Sequence, residues 1–178
     1  LIIEIVAIGK VPTKLLHALA PALEKAFSPF IDGCIIGPPL KMPPAAYNSS
    51  RGQYDARLII GRLLRHITGE NRVLAWTDVD LYVPDKNFVF GLAQYLGRAA
   101  LVSLKRLNPT FYSMSPNYRL MLERATKESV HELGHVFGLE HCSNKTCVMS
   151  FSNSIFEVDK KAATFCKRCQ SFLHLRQT

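Results

Sequence analysis

Three histidines, with a glutamate directly after the first of them, fall in one short run, His131-Glu132-Leu133-Gly134-His135-Val136-Phe137-Gly138-Leu139-Glu140-His141. On an α-helix, residues four apart share a face with Cβ atoms about 5–6 Å apart, so His131 and His135 can bind one metal ion at about 2.0–2.1 Å. Glu132 follows the first of them by one position. It is near enough to reach a metal-bound water without being a ligand, and is placed to act as a base. Gly138 can take the left-handed conformation that ends a helix, which lets the chain double back and offer His141 to the same ion. Three neutral nitrogens leave one position open on zinc, the mark of a catalytic site, because that position can hold a nucleophilic water. A shuffled chain of this composition would show the pattern on the order of once in 10⁴–10⁵ trials, so two ordinary helix histidines and a stop glycine explain it poorly.

Cys142-x4-Cys147 and Cys166-x2-Cys169 place four cysteines within 28 residues. With no evident export signal, such pairs read as zinc thiolates before disulfides, and a four-thiolate site is closed and structural. Two disulfides, or a redox-active Cys166/Cys169 pair, are the rival readings. Cys34, in an apolar stretch, reads as a small buried hydrophobe. His141 and Cys142 are neighbours, and neighbours in extended chain point to opposite sides. One short stretch can therefore serve two metals, and the cysteine-bound zinc is expected to pin the loop that positions His141.

Elements must hold these groups in place. Leu1–Ile8 reads as a buried strand, and Leu15, Leu16, Leu19, Leu23 and Phe27 set a helical stripe over Thr13–Phe27, with Pro21 predicting a kink or break. Ile31–Ile36 is a second strand and Gly37–Ser50 a proline-rich loop. An amphipathic helix is expected over Gln53–Ile67, through Tyr54, Leu58, Ile59, Leu63, Leu64 and Ile67. Strand candidates follow at Val73–Val83, Phe88–Phe90 and Ala99–Leu104. Tyr118–Phe137 is a long helix stopped at Gly138, and Asp159–Leu175 a final one.

The 178 residues, 20.0 kDa, amount to one domain: 48% hydrophobic and 20% charged residues fit neither disorder nor a fibre. Residues 1–137 would form a sheet-and-helix part ending in the active-site helix, and 138–178 a part carrying the cysteines. The net charge of +8 invites a nucleic-acid partner, but its distribution argues otherwise. Residues 51–127 hold twelve Lys/Arg against six Asp/Glu, whereas 128–178, with the cysteines, hold six against five. A cysteine-rich nucleic-acid module would keep its positive charge beside its metal ligands. Zinc on three imidazoles adds two charges and zinc on four thiolates subtracts two, so the loaded chain keeps its basic balance. No run of about 18 apolar residues and no evident signal peptide occur, so a cytoplasmic monomer is expected, with no membrane partner.

Taken together, these motifs resemble the metzincin metallopeptidases, whose extended histidine motif is followed by a methionine-containing turn, matched here by Met149 in Cys147-Val148-Met149. Cysteine directly after the third histidine, the C-x4-C-x-M continuation and the distal C-x2-C are similar to one branch, the archaemetzincins. The resemblance implies an α/β (α+β) fold: a compact metzincin-type catalytic domain with a mixed twisted sheet, an active-site helix and a C-terminal helical subdomain. It also implies a zinc-dependent peptidase, with an aminopeptidase among its possible forms. Hydrolysis of a peptide or protein substrate would use a zinc-bound water and Glu132 as general base. By position, His131, His135 and His141 match the catalytic-zinc ligands, Cys142, Cys147, Cys166 and Cys169 those of a structural second zinc. Some metzincins carry a tyrosine two residues after the turn methionine. Here that place holds Phe151, so transition-state help must come from elsewhere. The alternative from another class is a zinc-stabilised binding or adaptor protein with an idle site.

Overall fold

The computed structural model describes residues 1–175. Its centre is a five-stranded sheet in the order β2 (Gly33–Ile36), β1 (Ile2–Ala7), β5 (Arg72–Thr77), β8 (Ala99–Ser103), β7 (Gly91–Ala93). The first four strands run parallel and β7 lies antiparallel on the β8 edge, which makes the sheet mixed. Alternation along the strands explains why both faces are covered. Ile3, Ile5, Leu74, Trp76, Ala100 and Val102 face one core, and Val6, Ile8, Val73, Ala75, Ala99 and Leu101 face the other. Helices α1 (Thr13–Phe27) and α3 (Tyr118–Val136) pack on the first face; α2 (Ala56–Leu64) packs on the second. A smaller sheet, β3 (Tyr47–Asn48), β4 (Gln53–Asp55) and β6 (Leu81–Tyr82), flanks them. Two short helices, α4 (Ile155–Lys160) and α5 (Lys167–Leu175), finish the described chain.

Several elements depart from the expectation. Pro21 does not break α1, which is continuous from Thr13 to Phe27. Pro21 and His17 four residues earlier are both exposed, so the carbonyl that loses its partner faces solvent. The α2 helix starts at Ala56, because Gln53–Asp55 pairs with β3 and β6, and the Asp55 carboxylate then accepts from the Arg57 N–H as N-cap. Leu58 is consequently exposed while Ile60 is buried. The Val73–Val83 strand is two strands in different sheets. Phe88–Phe90 forms no strand beyond a bridge at Val89; the strand is the glycine-led β7 next to it. Asp159–Leu175 splits into the end of α4, an irregular link and α5, and that link carries Lys161 and Cys166 to their sites.

The long α3 helix matches the expected span. Asn117 caps it by accepting from Leu120 N–H at 3.0 Å, and no glycine or proline interrupts it before Gly134. Buried Trp76 on β5 donates to Ser129 Oγ at 2.8 Å, which ties the middle of α3 to the sheet. At the other end Gly138 has φ +88°. Gly138 N–H bonds His135 O and Leu139 N–H bonds Gly134 O, both at 2.9 Å, the double closure of a left-handed helix stop.

Candidate active site

The helix stop does more than end α3. The turn through Gly138 swings the Leu139 carbonyl back to within 2.7 Å of His135 Nδ1, and the Val148 carbonyl lies 2.8 Å from His131 Nδ1. A carbonyl can only accept, so each Nδ1 carries the proton and each Nε2 presents a lone pair. Those two Nε2 atoms sit 3.1 Å apart, two acceptors facing each other. Nitrogens at about 2.0–2.1 Å from one tetrahedral ion stand about 3.3 Å apart, so the gap fits a shared cation. His141 completes the group, its ring centroid 4.8 Å from that of His135 and 5.3 Å from that of His131. His131 is buried, His135 half-buried and His141 exposed, so the cluster opens to solvent on one side. Burial is the largest cause pushing all three below the ordinary histidine range, and their mutual repulsion adds to it at His131 and His141. Neutral imidazoles are what a metal requires.

Glu132 lies in the same cleft, a 580 Å³ groove between α3, β7 and the residues following Met149. Burial first, and then the Glu128 carboxylate, push Glu132 well above the usual carboxylate range, with Lys161 opposing. A carboxylate made more basic by its surroundings is suited to taking up a proton near neutral pH. The groove approaches Glu132 so closely because β7 begins with glycine. A Cβ at Gly91 would lie 2.7 Å from Glu132 Cγ and 2.7 Å from the Leu101 carbonyl.

The four late cysteines also converge. Cys142 and Cys166 Sγ are 3.8 Å apart, as are Cys147 and Cys169 Sγ, and all four sulfurs lie within 4.8 Å of one another. All four are free thiols, so neither two disulfides nor a Cys166–Cys169 bond describes them. Sulfurs at about 2.3 Å from a tetrahedral ion stand about 3.8 Å apart, and the set fits a zinc thiolate site. Arg168 donates to Cys142 Sγ at 3.4 Å, supplying positive charge to a site that would otherwise carry an excess of negative charge. Cys34, by contrast, is half-buried in β2, and burial raises its thiol to about 12.

Backbone links join the two clusters. Cys142 N–H bonds the Met149 carbonyl at 2.9 Å, and between Cys147 and Met149 lies the Val148 carbonyl that orients His131. Met149 is fully buried beneath α3, and a Cβ at Gly134 would collide with its Sδ. Phe151 packs on His141 at 5.0 Å between ring centroids.

Two ion pairs that the motif reading missed tie α3 to α4 and the residue after it. Lys161 Nζ lies 2.7 Å from Glu128 Oε1, both side chains almost wholly buried, and reaches the Ser150 carbonyl at 3.5 Å. Arg124 grips Asp159 with two bonds of 2.7 Å. Glu128 stands one helical turn before Glu132, a same-face spacing that the sequence displays.

The model of peptidase family M54 matches residues 35–175. The chain belongs to this family, the archaemetzincins. Over 147 residues it is 50% identical to the archaemetzincin of Methanocaldococcus jannaschii, an alignment that covers 83% of this chain and 80% of that one. The crystal structure of archaemetzincin from Methanopyrus kandleri superposes with a TM-score of 0.83 at 38% identity, covering 98% of this chain and 95% of the other. That from Archaeoglobus fulgidus, described as complexed with malonate, gives 0.81 at 37% identity, covering 96% and 99%. The mixed α/β fold is thus the archaemetzincin fold, and the chain is a zinc metallopeptidase with histidine and cysteine metal-binding groups. These relatives give the idle adaptor reading no support.

Proposed function

We propose that His131, His135 and His141 hold the zinc at which this peptidase cleaves its substrate, that Glu132 is its general base, and that Cys142, Cys147, Cys166 and Cys169 hold a second, structural zinc. The observation that carries the reading is the pair of lone-pair nitrogens held 3.1 Å apart by backbone acceptors, at the open end of the groove that contains Glu132. Zinc bound there supplies a Lewis acid that polarises a carbonyl and acidifies water. The chain's own residues do the rest. β7 is the edge strand of the five-stranded sheet and can align an extended peptide along the groove. Glu132 takes the proton of the attacking water and passes it to the leaving amine. Phe151 offers no oxygen, so the residue at that place does not stabilise the transition state by hydrogen bonding.

Met149 serves as the methionine of a turn that forms the floor of the site. Its buried side chain fills the space that Gly134 leaves, and its neighbour's carbonyl fixes His131. We further place the active unit as a single-domain monomer in the cytoplasm, where thiolates stay reduced, acting on peptides without nucleic-acid or membrane partners. No described helix is long and apolar enough to cross a membrane.

Glu132→Gln tests the assignment. The variant should keep two zinc equivalents per chain and lose about 10²–10⁴-fold in turnover of a peptide library. Turnover at the parent rate with metal intact would refute it.

A further inference from the structure

The cleft has one lysine or arginine among its lining residues, Lys86. Val83, Phe88, Val89 and Leu92 make its walls apolar; of its acids, Glu128 is neutralised by Lys161 and Glu132 is the proposed base. Lys86 stands at the end where His141 is exposed. Its ammonium lies 5.4 Å from the Phe151 ring centroid, and that ring packs on His141. Among the described residues Lys86 forms no ion pair, although Asp85 precedes it.

The segment that presents Lys86 is built to stay in place. Arg51 Nη2 donates to the carbonyls of Lys86 at 2.9 Å and Asn87 at 3.1 Å, while Gln53 Nε2 donates to the Asn87 carbonyl at 2.9 Å. The guanidinium of Arg51 is itself fixed on the Tyr82 ring, 4.2 Å from its centroid, and by Gln53 Oε1 at 2.9 Å. Lys86 N–H closes the turn on the Val83 carbonyl at 3.0 Å. With the backbone held on both sides, only the lysine side chain has to be ordered when a ligand arrives.

Resting on the peptidase reading above, we propose that Lys86 is a specificity-determining residue that selects peptides presenting a carboxylate at the His141 end of the cleft, with apolar side chains along the walls. The carboxylate is either an acidic side chain near the scissile bond or the free C-terminus of a short peptide. The shared chemistry is one anionic oxygen pair meeting one ammonium at the rim of an apolar groove.

The test uses the zinc-loaded protein and one apolar parent peptide in four forms: amidated, free acid, amidated with Glu placed near the scissile bond, and amidated with Gln there. Equilibrium binding is measured with Glu132→Gln and kcat/KM with the unaltered Glu132. The carboxylate-bearing forms should be favoured about two- to fivefold, the range of an exposed charge pair. That preference should vanish in Lys86→Gln, invert in Lys86→Glu, and fade near 1 M salt, where screening acts over about 3 Å. Comparison of the free-acid and Glu peptides with their controls tells which carboxylate is read. Equal or absent binding of acidic and neutral forms, or a preference that survives in Lys86→Glu, overturns the proposal. Binding preference without hydrolysis of any peptide would instead overturn the peptidase reading and leave this one standing.

Discussion

Gly91→Ala is a one-methyl test of how closely the sheet edge and the base are fitted. The added Cβ would stand 2.7 Å from Glu132 Cγ, 2.7 Å from the Leu101 carbonyl and 2.8 Å from Glu132 Oε1, each at least 0.6 Å inside the 3.4 Å where ordinary contact begins. The carbonyl cannot yield easily, because Leu101 pairs with Leu92 in the ladder between β7 and β8. The carboxylate, or the edge strand that would align substrate, must therefore shift by more than half an ångström. A misplacement of about 1 Å typically costs about 10²-fold, so kcat should fall by tens- to a hundredfold. Overpacking should also cost about 1–3 kcal/mol, seen as a lower melting temperature. No ligand nitrogen is touched, so zinc content should hold. Steady-state kinetics on a peptide, zinc analysis and a thermal melt decide the matter together. A folded Gly91→Ala protein with unaltered kcat would refute the reasoning.

Other perturbations separate the supporting contacts. Gly134→Ala would gain about 1 kcal/mol of helix propensity if α3 were free, but the methyl collides with buried Met149; the melting temperature should not rise and zinc affinity in a chelator competition should weaken. A rise in both would contradict the packing argument. Lys161→Met strands the Glu128 carboxylate in the interior and should cost about 3–5 kcal/mol by urea denaturation, with much of the loss recovered by adding Glu128→Leu. In the chelated protein, Cys166 should be the first thiol alkylated. Hydrogen bonding from the Cys169 backbone, against burial, lowers it to about 7; its labelling rate should rise with pH around that value, and zinc should protect it. Replacing Cys166 and Cys169 by Ser should remove one zinc and weaken the histidine site too, since the Cys142 and Val148 backbone groups link them.

The parts of this molecule that are periodic or spaced by covalent chemistry could be read in the amino-acid order. The histidine helix, its stop at Gly138 and the first strand and helix are of this kind, each determined by residues near one another in the chain. What escaped depends on partners far away. Gln53–Asp55 leads directly into the helical stripe of α2 and becomes a strand only because β3 and β6 lie beside it. The Phe88–Phe90 stretch has strand composition, yet the edge strand is Gly91–Ala93, where a glycine is required for the approach of Glu132. An isolated glycine beside a strand pattern was the available signal for that close approach. Lys161 carried none. A lysine near a helix end usually reads as solvated, and its burial against Glu128 is a product of the split between α4 and α5.

Diffraction from crystals of the zinc-loaded protein at the zinc absorption edge tests the central claim most directly. Two anomalous peaks are predicted. One should lie about 2.0–2.1 Å from the Nε2 atoms of His131, His135 and His141 with a non-protein fourth ligand beside Glu132, the other about 2.3 Å from the four cysteine sulfurs. A peak missing from the histidines, or a protein atom filling the fourth position there, would contradict the account.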